Sequence, residues 1–245
     1  MSSSSDQALY DQAAEFADNL TRTFKGIRPD ALSFVAVLHH SGPQVLVAPR
    51  DSDGLMQPIE FTISGTVRLR LDARIWLCWD REGQFLAVED SKITCSVKER
   101  HPVPLFRYEY MRSWTSPPAA HLHVHAHRDE FAHLLRLGGM GRGGAKAKQD
   151  KIARLQEIHF PVGGHRYRPC VEEVLWMLIE EFGVDCAAGW EKALTEGLER
   201  WRGIQLRSAI RDNPRIASAA LEALDYTVTP PDSGHVRTGS KFLGR

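Results

Sequence analysis

Cysteine is scarce and never paired. Cys78, Cys95, Cys170 and Cys186 are widely scattered, with no CxxC among them. That spacing argues against a cysteine-built zinc site and for reduced thiols in a cytosolic chain. Charge of one sign is missing as well. Lys and Arg number 31 and Asp and Glu also 31, so no global field recruits nucleic acid or membrane, and any such binding must come from a local patch. No run approaches the ~20 apolar residues of a membrane span. The start, "MSSSSDQ", lacks an apolar signal core, so a cytoplasmic location without a membrane partner is expected. No internal repeat at a solenoid period is visible. With 245 residues and 42% hydrophobic content, the chain can bury the core of one large domain or two small ones.

What is present divides by hydrophobic period. Residues 6–25 carry Leu9, Ala13, Phe16, Leu20 and Phe24 at helical spacing behind a capping Asp6. Period-two runs follow: "SFVAVLHH", "QVLVAP", "IEFTIS", "TVRLRLDARIWLCWD", "FLAVED", "KITCSVK" and "VPLFRYEY". The fourth alternates best, setting Val67, Leu69, Leu71, Ala73, Ile75 and Leu77 against Arg68, Arg70, Asp72 and Arg74. Successive strands of this kind predict antiparallel pairing, with one face on the core and the other partly open. Helical period returns after Asp129, and "PCVEEVLWMLIEEFG" has Pro169 at its start and Gly183 as its stop. The expected fold class is α+β: an N-terminal helix and an antiparallel β-sheet, then a helical C-terminal part. The expected division is a sheet domain at 1–137, a Gly-rich basic linker at 138–148, a helical domain at 149–229 and a loose tail at 230–245.

One stretch stands out for chemistry. "HLHVHAHRDE" (121–130) places His121, His123, His125 and His127 on one face of a half-buried strand, about 7 Å apart along it. Three readings stay open. The face could be an exposed, imidazole-rich strand. It could hold a divalent transition metal, Zn²⁺ or Mn²⁺, through these four histidines, completed by His133, Asp129, Glu130, His39 or His40. It could instead carry metal-free acid–base chemistry, since a histidine pair near neutrality can pass protons in both directions.

In the preceding run "LFRYEY", Arg107 and Glu109 share a face. If that strand pairs with the histidine strand, Arg107 could grip phosphate oxygens and Glu109 could orient an imidazole. The catalytic set expected is therefore His121, His123, His125, His127, Arg107 and Glu109. Further on, "IHFPVGGHRYRPC" sets His165, Arg166 and Arg168 before a helix, a candidate substrate-binding group. "GMGRGG" (139–144) fits the glycine spacing of a dinucleotide fingerprint but follows a helix, so no nucleotide cofactor is expected.

The "RYEY" strand, its proline-containing connection and the histidine cluster resemble the TumE-type toxins of bacterial toxin–antitoxin pairs across residues 60–128. Glu109 stands where that family has an aspartate, and Tyr110 where it has an asparagine. The resemblance implies a growth-inhibiting, nuclease-like activity carried by Arg107, Glu109 and the histidines, with RNA as substrate and an antitoxin-like protein as partner. The functional expectation is a histidine-dependent, phosphodiester-cleaving enzyme. Its rival is a non-catalytic interaction or metal-binding module.

Overall fold

A computed structural model of the chain describes residues 4–39, 42–98, 104–125 and 160–232. Helix α1 runs over Ser4–Ile27. Leu9, Ala13, Ala17, Leu20, Phe24 and Ile27 recur on it every three or four residues and are all buried, the stripe an amphipathic helix needs to lie on a sheet.

Among the described residues, eight strands form one sheet: β1 Ser33–Leu38, β2 Val45–Arg50, β3 Ile59–Ile63, β4 Thr66–Trp79, β5 Leu86–Val97, β6 Pro104–Met111, β7 Ala120–Val124 and β8 Phe160–Pro161. All of its pairings are antiparallel, in the order β1-β2-β4-β5-β6-β7-β8, with β3 also on β4. The length of β4 explains the branch. Its second half pairs with β2 through Ile75–Leu77, and its first half pairs with β3 through Thr66–Leu71. Ser64 and Gly65, at φ 52° and 76°, make the two-residue hairpin between β3 and β4; positive φ at both positions matches the twist of the flanking strands.

Helices follow: the single turn α2 Gly164–Tyr167, then α3 Val171–Phe182, α4 Trp190–Asp212 and α5 Pro214–Glu222. The start and stop signals around α3 act as expected. Cys170 N–H donates to the Glu173 carboxylate at 3.1 Å, and Gly183 closes the helix at φ 67°. Asn213 caps α5, its side chain accepting from Ile216 N–H. The α+β arrangement read from the sequence is the one observed.

The core joins the two ends of the chain. Leu69, Leu71, Ile75 and Ile93 of the sheet share one buried cluster with Leu20 and Phe24 of α1, Val174, Leu175 and Leu178 of α3, and Leu194 of α4. The stretches 1–137 and 149–229, separate in sequence, thus contribute to the same core. Residues 138–148, the expected linker, lie outside the described residues, as do the helical segments expected between Asp129 and Phe160.

The core uses one face of the sheet. Leu69, Leu71, Ala73, Ile75 and Leu77 of β4 are all buried on it, as their alternation predicts. Register carries the opposite parity across the sheet: Asp72 lies beside Thr94, Thr94 beside Arg107, and Arg107 beside His123. The second face is thus polar from β4 to β7.

Candidate metal centre

Strands β6 and β7 are neighbours, with Arg107 opposite His123 and Glu109 opposite His121. Antiparallel register therefore assembles four of the six residues expected to be catalytic. His121 and His123 are 0% and 4% exposed, which excludes a solvent-facing strand for these two imidazoles. Between them, Leu122 is half-buried and packs on the main core.

Glu109 is the hub. One oxygen, Oε2, lies 3.3 Å from His121 Nε2 and 3.2 Å from His123 Nε2. The other, Oε1, lies 2.9 Å from Arg107 Nε and 3.6 Å from Lys92 Nζ. Burial opposes ionisation of this carboxyl, but the polar contacts with His121 and His123 and the charge of Arg107 outweigh it. Its pKa is held far below the usual carboxylate range. Asp90, on the neighbouring strand, is displaced the other way: burial, with Glu109 adding repulsion, pushes it up.

The orientation of His121 is fixed on two sides. Its ring stacks on Trp114, centroids 5.5 Å apart and planes within 2°. Its Nδ1 lies 2.8 Å from the carbonyl oxygen of Pro118. A carbonyl only accepts, so Nδ1 carries the hydrogen. That leaves Nε2 facing a carboxylate oxygen, and two lone pairs at 3.3 Å need a proton or a cation between them. An N–H donated to a backbone carbonyl is also how metal-ligating histidines are usually oriented.

Ligand atoms from Glu109, His121 and His123 lie within 4.8 Å of one another, the one such group of three among the described residues. A tetrahedral ion with bonds of about 2.0–2.1 Å sets its ligand atoms about 3.3–3.4 Å apart. The carboxylate–imidazole separations match that edge. Two imidazoles and one carboxylate form a donor set for Zn²⁺, Mn²⁺ or Fe²⁺ that leaves coordination positions for substrate.

The candidate group holds two of the four histidines expected as ligands. The third candidate ligand is Glu109 from the adjacent strand. His125 follows the last residue of β7, its backbone N–H donating to Leu105 O at 2.9 Å, and it does not join the group. His39 sits far along the sheet with its ring against Trp76. His127, Asp129, Glu130, His133 and His40 lie outside the described residues.

The expected substrate-binding group is on the other face. His165 Nδ1 is 3.0 Å from the hydroxyl of Tyr110, a core-side residue of β6. Arg166 is held by Asp212 through two bonds of 2.5 and 3.0 Å, and Arg168 is buried over the Tyr110 ring. None of the three stands with Glu109 and the histidines. Sequence reasoning missed Lys92, Trp114 and the Pro118 carbonyl. Only register brings Lys92 opposite Glu109, and only the path of the β6–β7 connection brings Trp114 and Pro118 to His121.

No family model, curated protein or solved structure matches this chain.

Proposed function

We propose that this protein hydrolyses phosphodiester bonds with a divalent transition-metal ion, zinc or manganese, held by Glu109, His121 and His123. RNA is the substrate class to test first. The observation that carries the reading is the convergence of these three side chains with Arg107 and Lys92 at the other oxygen of the same carboxylate. Such an ion acts as a Lewis acid and lowers the pKa of a bound water toward neutrality. His121, locked by Trp114 and Pro118, presents Nε2 in one direction. His123 stands at right angles to it, ring centroids 4.9 Å apart and planes at 79°. Arg107 and Lys92 stand at Oε1, the carboxylate oxygen that the imidazoles do not contact. There they can take phosphate oxygens and stabilise the charge that develops on them. The growth-inhibiting role and an antitoxin-like partner belong to the proposal through the resemblance of the Arg107–Tyr110 segment and its histidines.

The same contacts favour a second reading, in which His121 and His123 act as a metal-free acid–base pair oriented by Glu109. Metal analysis of the purified chain, paired with cleavage of bis(p-nitrophenyl) phosphate and of RNA, separates the two. The metal reading expects about one ion per chain, lost together with cleavage on His123→Ala or on chelation. Cleavage that survives chelator with a bell-shaped pH profile belongs to the acid–base pair. Iron with oxygen-dependent turnover defeats the hydrolytic assignment, and the absence of cleavage from both substrates defeats both readings.

A further inference from the structure

On the helix-covered side of the sheet, between α1, β4–β5 and helices α3 and α4, lies a cavity of about 540 Å³. That is the size of sites for small organic ligands. Phe16, Ile75, Ile93, Val171, Trp201 and Ile204 give it apolar walls. Arg168, in the segment between α2 and α3, also lines it and is only 8% exposed.

The surroundings of Arg168 are unusual for a buried cation. Its guanidinium carbon stands 3.8 Å from the centre of the Tyr110 ring and 5.1 Å from that of Trp201. Nη1 donates to the carbonyl of His165. Among the described residues no carboxylate forms an ion pair with it. Its neighbour Arg166 is neutralised by Asp212. A buried charge without an ion pair is costly, and neither the ring faces nor the carbonyl supplies a full negative charge. Burial lowers its pKa to about 10, so the group stays charged at neutral pH.

The remaining charges on the cavity wall limit the ligand. Arg200 and Arg207 are matched in number by Glu15 and Glu199. Glu172 lies against Gly197, where a Cβ would approach its Oε1 to 2.6 Å, and among the described residues it forms no ion pair with Arg168. A buried guanidinium without an ion pair, set beside apolar walls, suits one negative charge on an apolar body.

We propose that this cavity binds an amphipathic monocarboxylate, its head accepting from the Arg168 fork and its apolar body lying along Phe16, Ile93 and Ile204. The metal centre is on the opposite face of the sheet, so the site does not depend on the proposed activity.

Isothermal titration of the full chain with octanoate and with its uncharged counterpart octanamide tests this. Octanoate should bind at least about tenfold tighter than octanamide, the scale of one charge-assisted pair. Arg168→Met should remove that preference, and Arg168→Lys, which keeps the charge but not the fork, should retain part of it. Ile204→Trp narrows the cavity from a half-exposed helix position. It should weaken octanoate binding about tenfold while the fold, followed by circular dichroism, is kept; it serves even if Arg168→Met does not fold. Equal affinity for octanoate and octanamide, no binding of either, or unchanged octanoate affinity in Ile204→Trp and Arg168→Lys alike would overturn the proposal.

Discussion

The two faces of one sheet each hold a charge removed from water, and they settle it differently. On the polar face, Glu109 is surrounded by two imidazoles, a guanidinium and an ammonium group. Its ionised form is favoured despite burial. On the helix-covered face, Arg168 has two aromatic rings and a carbonyl but no anion among the described residues. The first site has donors for a cation, which must compete with protons for the imidazole nitrogens. The second has a cation and space for an anion. Tyr110 and Glu109 are adjacent in β6, so strand alternation alone puts these opposite chemistries back to back.

The sharpest way to break the comparison is to remove a ligand from the polar face. Loss of an outer-shell partner commonly weakens metal affinity about 10–100-fold. Glu109→Gln and His121→Ala, which remove direct ligands, should exceed about 100-fold. Competition with a chromogenic chelator measures this, and octanoate binding in the same variants should be unchanged.

Arg107→Ala should spare the metal and strike turnover. Loss of one group that stabilises developing charge costs about 10²–10³ in rate, so kcat should fall on that scale with metal content unchanged. A variant that loses metal and rate together would instead make Arg107 a support for Glu109.

Gly26→Ala tests the core side without touching either site. A Cβ at Gly26 in α1 would come within 2.3 Å of the Ala193 Cβ in α4. Overpacking of this kind costs about 1–3 kcal/mol. Thermal unfolding should show a lower midpoint, while metal affinity measured well below it stays as in the parent protein.

The smallest effect belongs to the Asp185 tie. Its carboxylate accepts from Gly65 N–H at 2.8 Å and Ser64 N–H at 3.1 Å, fastening the β3–β4 hairpin to the segment after α3. The Gly65 bond, followed by a side-chain bond with Thr62, lowers its pKa. A folded pKa below the unfolded value means that the contribution is complete above about pH 3.9 and is lost as the pH falls through the folded value. Asp185→Asn should therefore lower the urea midpoint slightly at pH 7. The gap from the parent protein should shrink under acid, and a gap constant with pH would refute the assignment.

Much of this was legible in the chain itself. The α1 stripe, the alternation of β4 and the Pro169–Gly183 bounds of α3 are local patterns, and local sterics and burial suffice to read them. The histidine alternation likewise marked a strand and one candidate face. It did not indicate that this face would be buried, because burial depends on what packs against it. The placing of Glu109, over other acids, beside the two histidines was also not local. It follows from the β6–β7 register, and a slip of one residue would have turned Glu109 to the core side.

The helix-side group was harder still. "GGHRYRPC" reads as one cluster of cations, yet the fold gives each a different fate. Arg166 is paired with Asp212, 46 residues away; His165 meets Tyr110, 55 residues away; Arg168 is left at the cavity. Sequence by itself determined the elements and the parity of their faces, because backbone sterics and period act over a few residues. Tertiary structure alone decided which side chains share a site and which charges lose their water, since both depend on contacts between residues far apart in the chain.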